Sequence, residues 1–98
     1  MAWGIECTPE ALDDLKALRT TDQARVLEGV ESQLRYQPME HTRNRKRLRS
    51  NPVAEWELRL GRFRVFYNAD KQSLIVSIAA IGLKIGNLLF IRDKGSEL

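Results

Sequence analysis

The sequence predicts an α+β fold in which an N-terminal helical hairpin packs on a mainly antiparallel sheet of four to five strands, in the order β-α-α-β-β-β-β. Three observations carry this reading. Apolar residues in the N-terminal part recur every three to four positions, those between residues 56 and 67 recur every second position, and residues 74–81 form a nearly unbroken apolar run of strand length.

Trp3, Ile5 and Cys7 alternate, which predicts a short opening strand. Thr8-Pro9-Glu10 then supplies an N-cap, a proline at the first helical position and an early acid. Ala11, Leu12, Leu15 and Leu18 give this first helix one apolar stripe, with Asp13, Asp14 and Lys16 facing water and an end near Arg19. Thr20-Thr21-Asp22 is a second capping cluster, and Ala24, Val26, Leu27, Val30 and Leu34 continue with helical spacing until Gln37-Pro38 halts the helix. The two helices make an antiparallel hairpin. Residues 39–52 are polar and basic without a period, which predicts a loop with room for a short helical turn.

From residue 55 the period changes to two. Trp56, Leu58 and Leu60 point one way and Glu55, Glu57 and Arg59 the other. After Gly61, Phe63, Val65 and Tyr67 take one face while Arg62, Arg64 and Phe66 take the opposite one, so a tight hairpin joins two strands that share an apolar face. Residues 68–72 carry turn chemistry, and the run 74–81 belongs mid-sheet, covered on both sides. Gly82 and Gly86 are assigned to turns around Leu83-Lys84-Ile85. Leu88-Leu89-Phe90-Ile91 makes a last short strand before a loose charged tail over residues 92–98.

A chain of 98 residues, 43% hydrophobic and 30% charged, fits one domain over residues 1–98. Its single cysteine, Cys7, excludes an intrachain disulfide and reads as a buried or inert thiol. The absence of Cys/His spacing typical of zinc sites leads us to expect no metal and no cofactor. The opening residues lack the pattern of a signal peptide and the run 74–81 is too short to span a bilayer, so the expectation is a soluble cytoplasmic protein with no membrane partner. Trp3, Trp56, Phe63 and Tyr67 are read as core residues.

Charge is unevenly placed. Residues 1–40 hold four basic and eight acidic side chains, whereas residues 41–64 hold eight basic and two acidic ones, a local net charge of +6 in a chain whose total is +3. Arg43, Arg45, Lys46, Arg47 and Arg49 crowd into seven positions with no acid between them, which favours contact with a polyanion over a merely solvated face. Arg64 is held outward on a strand by its neighbours Phe63 and Val65.

The segment Trp56-Glu57-Leu58-Arg59-Leu60-Gly61-Arg62-Phe63-Arg64-Val65-Phe66-Tyr67 resembles the RelE/ParE toxins of type II toxin-antitoxin systems. Arg47-Leu48-Arg49, Ile78-Ala79-Ala80-Ile81-Gly82-Leu83-Lys84 and the opening Thr8-Pro9-Glu10-Ala11 resemble other parts of the same pattern. The resemblance implies one of two activities. RelE-like members cut messenger RNA on the ribosome without metal, through attack of the ribose 2′-hydroxyl on the adjacent phosphate, and ParE-like members inhibit DNA gyrase and lack the nuclease residues. It also implies an acidic antitoxin partner covering the basic face, with messenger RNA and the ribosome, or alternatively DNA gyrase, as the target.

Carried over by the resemblance, Arg64 stands on the scissile phosphate, Lys84 is a second cation, and Arg59 holds a basic position on the neighbouring strand. Glu57 falls where RNA-cutting members can have lysine, and Phe90 where they have a terminal-strand tyrosine. Cleavage needs a base, cations at the phosphate and an acid for the leaving oxygen. Glu57 is the one nearby candidate for the base, although the simpler reading of its place is a cross-strand salt bridge with Arg62 or Arg64. Phe90 is placed to stack on a nucleobase, and Arg43, Arg45, Lys46, Arg47, Arg49 and Arg62 to grip the nucleic acid. The expected activity is therefore a toxin that is an mRNA endoribonuclease, with a gyrase inhibitor or a non-toxic basic nucleic-acid-binding module as alternatives.

Overall fold

The computed structural model describes residues 2–91 and 94–96. In chain order the elements are β1 (Gly4–Cys7), α1 (Pro9–Lys16), α2 (Thr20–Leu34), β2 (Arg45–Arg47), β3 (Trp56–Leu60), β4 (Phe63–Asp70), β5 (Ile75–Ile85), β6 (Leu88–Ile91) and β7 (Lys94–Ser96). The predicted α+β architecture is present.

Thr8 caps α1 from an extended backbone, its Oγ1 accepting from the Ala11 amide at 3.1 Å, with Pro9 at the first helical position. The helix closes at Lys16, short of Arg19. α2 starts at Thr20 but without the side-chain cap that Thr20-Thr21-Asp22 suggested, because Arg19 occupies the N-cap position. Gln23 ties the interhelical turn instead, its Nε2 donating to the Leu18 carbonyl at 2.8 Å. α2 ends at Leu34, and the chain reverses through Gln37 at φ 53° into Pro38.

The strands form one mixed, seven-stranded sheet in the order β2-β3-β4-β5-β6-β7, with β1 also paired to β5. The two strands beyond the expected number lie where no apolar period announces them. β2 is the tripeptide Arg45-Lys46-Arg47, inside the stretch read as loop. β7 lies in the tail read as loose, where Lys94–Ser96 pairs antiparallel with β6; residues 92, 93, 97 and 98 of that tail are outside the described residues.

β5 is the middle strand. β4 pairs with it along its length on one side, while on the other β1 runs parallel to it as far as Ile78 and β6 pairs antiparallel from Leu83. Between those two neighbours, α1 and its cap supply the partners. The Thr8 amide donates to the Ile78 carbonyl at 3.0 Å, Thr8 Oγ1 donates to the Ala79 carbonyl at 3.3 Å, and the Ile81 amide donates to Asp14 Oδ2 at 3.0 Å. Asp14 is therefore buried and facing the sheet, contrary to its expected place in water. Gly82 is likewise not a turn. It lies buried within β5, and a Cβ there would sit 2.9 Å from the Phe90 carbonyl oxygen; the turn falls at Gly86, φ 61°.

Alternation divides the sheet into two faces. Ala11, Leu15, Val26, Val30 and Leu34 from the helices pack on Trp56, Leu58, Phe63, Val65, Tyr67, Val76, Ile78 and Ile81, which form the main core. Trp56 and Tyr67 are cross-strand partners whose rings stack at a centroid distance of 6.2 Å. On the opposite, open face a smaller cluster of Phe66, Ala80 and Leu89 is roofed by Leu48, Val53 and Ala54 from the segment between β2 and β3. No helix among the described residues is long and apolar enough to cross a membrane.

Two stability measurements follow from this packing. Asp14→Ala leaves the buried Ile81 amide without its acceptor and is expected to lower the unfolding free energy in urea by about 1–3 kcal/mol, with Asp14→Asn, which keeps an acceptor, costing less. The buried Tyr67 hydroxyl donates to the Pro38 carbonyl at 2.7 Å, and burial pushes its pKa up, with Arg45 opposing. The folded state thus keeps the phenol protonated where the unfolded chain ionises. Its contribution is whole below about pH 10 and is lost as pH rises above that, by up to about 1.4 kcal/mol per pH unit. Tyr67→Phe is expected to remove this alkaline slope while costing about 1 kcal/mol near neutral pH, as read by denaturant titrations across pH.

Candidate nucleic-acid interface

The strands of the open face carry a compact group of charges. Arg59 on β3 and Arg64 on β4 are directly opposed, so their side chains leave the sheet on the same side. Glu57, two residues before Arg59, shares that side, and Lys46 of β2 opposes it from the sheet edge. Arg64 is paired with Gly82 of β5, and two residues further along that strand Lys84 lies exposed on the same face.

Glu57 Oε1 accepts from Arg59 Nε at 2.7 Å and lies 3.8 Å from Arg64 Nε. Glu57 and Arg64 have side chains only 12% and 14% exposed, whereas Arg59 is 41% exposed, so the first two form the floor and the third the rim. Arg64 Nη1 also donates to the carbonyls of Gly61 at 2.6 Å and Phe63 at 2.9 Å, which fixes the guanidinium against the β3–β4 turn. Burial holds the Arg64 pKa below its ordinary value; Glu57 pulls it up and Arg59 adds to the depression. Among the described residues, Glu57 Oε2, Arg64 Nη2 and both terminal nitrogens of Arg59 have no hydrogen-bond partner, and these are the atoms left to meet a ligand.

The structure thus brings together Lys46, Glu57, Arg59, Arg64 and Lys84, and separates the other sequence candidates from them. Arg45 is buried on the helix face, where its guanidinium reaches the carbonyls of Gln33 and Tyr36 at the end of α2 (3.3 Å to Tyr36); it anchors the fold and is unavailable to nucleic acid. Arg47 also emerges on the helix side, 5.6 Å over the Trp56 ring and 3.5 Å from Glu55. Arg62 turns toward α2, with Nη2 3.6 Å from Asp22 and the guanidinium over the Phe63 ring, instead of sharing the side of Arg64. Arg43 and Arg49 are exposed on the segments flanking β2.

Phe90 is the largest displacement. It opposes Leu83, whose side chain packs with the helix-face core, and it lines a cleft of about 340 Å³ with Asp13, Ala17 and Leu18 of the helical side. Phe90 is therefore on the far side of the sheet from Arg64, and Leu89, opposite Lys84, takes the place on the cationic face. The two-residue turn Gly86-Asn87 fixes this register, and counting from it is the sequence signal that places Leu89 there. Cys7 is exposed at the end of β1, with its thiol pushed up by partial burial.

The profile of the family described as the ParE toxin of the type II toxin-antitoxin system, parDE, matches residues 5–83, which include both helices, the β3–β4 hairpin and β5 to the residue before Lys84. The chain belongs to this toxin family. The toxin superposes on a chain of the RelBE2 toxin-antitoxin complex from Mycobacterium tuberculosis with a TM-score of 0.75 and 25% identity, covering 86% of this chain and 93% of that one. It shares its fold with a chain of the RelE-RelB complex from the archaeon Pyrococcus horikoshii OT3, at a TM-score of 0.66 and 20% identity over 83% of this chain and 93% of that one. No curated protein sequence matches it. Membership in a toxin family weighs against the reading as a non-toxic binding module.

The separation of Arg45 from the toxin's surface cations gives a direct check. Arg45→Ala is expected to lower unfolding free energy by about 2–4 kcal/mol, because the bonds at the α2 terminus and the packing of the side-chain stem both disappear, as read by urea denaturation. At a temperature where the variant is folded, its affinity for a single-stranded RNA oligonucleotide should equal that of the wild type.

Proposed function

We propose that this toxin cleaves the phosphodiester backbone of messenger RNA on translating ribosomes, and that an acidic antitoxin holds it in check. The observation that carries the reading is the open-face cluster, in which one carboxylate with a free oxygen lies between two guanidiniums that each keep unpaired donors, on adjacent strands of a rigid sheet.

In this reading Arg64 Nη2 and the Arg59 fork donate to the non-bridging phosphate oxygens, where charge builds up in the transition state. Glu57 Oε2 takes the proton of the ribose 2′-hydroxyl as the 2′-oxygen bonds to phosphorus. The bond from phosphorus to the 5′-oxygen breaks, and that oxygen takes a proton from the Lys84 ammonium, leaving a 2′,3′-cyclic phosphate and a 5′-hydroxyl end. No step asks anything of Phe90, which fits its place on the other side of the sheet. The antitoxin is inferred from the family and from the similar Mycobacterium tuberculosis structure, which is a toxin-antitoxin complex. The uncovered cations are the surface for which an acidic segment would have complementary charge.

A second reading, a gyrase inhibitor without catalysis, is supported by the description of the matching family, that of the ParE toxin, and by Glu57 and its two arginines, which also form a self-contained ion cluster of the kind that merely stabilises a sheet.

Translation of a defined messenger in a purified system, followed by primer extension, separates the two. The expected result is ribosome-dependent cuts, a loss of roughly a hundredfold in cleavage rate for Arg64→Ala, and a comparable or larger loss for Glu57→Gln, with both variants folded. Intact messenger together with blocked supercoiling in a gyrase assay would overturn the nuclease reading.

A further inference from the structure

The end of β2 and the segment that follows it hold a second group of cations that the cleavage chemistry does not use. Lys46, Arg47, Arg49, Ser50 and Asn51 line an open concavity of about 660 Å³. Lys46 also belongs to the open-face cluster, since it opposes Glu57, so the concavity continues the track of cations beyond the scissile position.

This segment is built rather than merely basic. Asn51 closes it on itself, with Oδ1 accepting from the Val53 and Ala54 amides at 2.8 and 3.2 Å and Nδ2 donating to the carbonyls of Arg49 and Ala54 at 2.7 and 3.1 Å. Its ends are pinned to the sheet: the Leu48 amide donates to the Glu55 carbonyl at 2.9 Å, and the Glu55 amide to Asn68 Oδ1 at 2.9 Å. Leu48, Val53 and Ala54 pack on Phe66, Ala80 and Leu89, so the segment has an apolar anchor beneath it. Arg47 is engaged by Trp56 and Glu55, but among the described residues no carboxylate pairs with Lys46 or Arg49. A fixed backbone presenting two unpaired cations has already given up the conformational freedom that binding would otherwise cost.

We infer that the segment of residues 46–51 is a preformed subsite for a backbone phosphate of the RNA strand flanking the cut, gripped by Lys46 and Arg49. The inference rests on the reading of the toxin as acting on RNA, and it supplies that reading with a strand direction across the sheet, from β2 past Arg59 and Arg64 toward Lys84. A strand held at two of its phosphates fixes the ribose between them against Glu57, which is what positioning catalysis requires.

The test is fluorescence anisotropy of the purified toxin with a short labelled single-stranded RNA across a salt series, for wild type, the double variant Lys46→Gln/Arg49→Gln, and Asn51→Ala. The double variant changes only exposed side chains and keeps the fold. It is expected to bind more weakly and to lower the slope of log affinity against log salt by about 0.7 for each phosphate that is no longer neutralised. Asn51→Ala removes no charge; it is expected to weaken binding roughly tenfold with the slope unchanged, because only the order of the loop is removed. Unchanged affinity in the double variant overturns the subsite. Weakened binding in the double variant with wild-type binding in Asn51→Ala overturns its being preformed. Loop-dependent binding by a toxin that leaves messenger intact would discard the cleavage chemistry and keep the subsite, and cleavage with loop-independent binding would do the reverse.

Discussion

The structure hangs on the stretch of β5 that lies between β1 and β6, its two partial neighbours on one flank. A central strand cannot leave its amides and carbonyls without partners in a protein interior, because each would lose its bond to water with nothing in return. β1 serves the first part of that flank and β6 the last, and between them Thr8 and Asp14 stand in for a strand. The consequence is a fixed docking position for α1, and with it the helical hairpin whose apolar stripe covers one face of the sheet. Burying Asp14 is tolerable because its Oδ2 accepts a backbone hydrogen bond at the point where the ladder lacks one neighbour, and the site lies close by: Gly82, next to Ile81, is the residue opposite Arg64.

The second constraint is the period of two. Once Trp56, Leu58, Val65 and Tyr67 are committed to the helix-face core, Glu57, Arg59 and Arg64 have no choice of side. Placing the cations on strands rather than on a loop restricts their backbones to the stiffness of the sheet, and the bonds from Arg64 to the Gly61 and Phe63 carbonyls restrict the side chain as well. The open face is not bare around them. The Asn51-closed segment covers Phe66 and Ala80, so water is kept from the apolar floor while the charged residues beside it stay accessible.

How much of this was legible in the sequence follows from which residues carry a period. The helical stripe and the β3–β4 hairpin were readable because apolar residues mark them at fixed spacing, and Gly61 marks the turn between. β2 was hidden because Arg45-Lys46-Arg47 has no apolar member to alternate with; only the structure shows that its middle residue joins the cationic face while the outer two go to the helix side. Arg45 illustrates the difficulty, since a sequence of five cations in seven positions gives no sign that one of them is spent on the carbonyls at the end of a helix twelve residues earlier. Asp14 falls on the apolar stripe of α1 by spacing, but its residue type argued for water. Phe90 was misplaced for another reason: the resemblance matched residue types in order, and the face of a short strand depends on the register set by a turn.

The candidate chemistry turns on the exchange of a cation for a carboxylate at Glu57. A lysine there would add to the repulsion between Arg59 and Arg64, which are direct cross-strand partners and already crowd like charges together. A carboxylate relieves that repulsion, taking Arg59 at 2.7 Å and drawing Arg64 within 3.8 Å, and so it contributes to stability whatever else it does. It does so through one oxygen only. Because Oε1 serves both guanidiniums, Oε2 keeps no hydrogen-bond partner among the described residues, and in the proposed cleavage an arriving phosphate would compete for the arginines while its neighbouring ribose meets that oxygen. In the proposed cleavage the same residue would hold the sheet together in the resting protein and accept a proton in the loaded one, with Lys46 and Lys84 on the same face adding positive charge that would draw in a nucleic-acid strand.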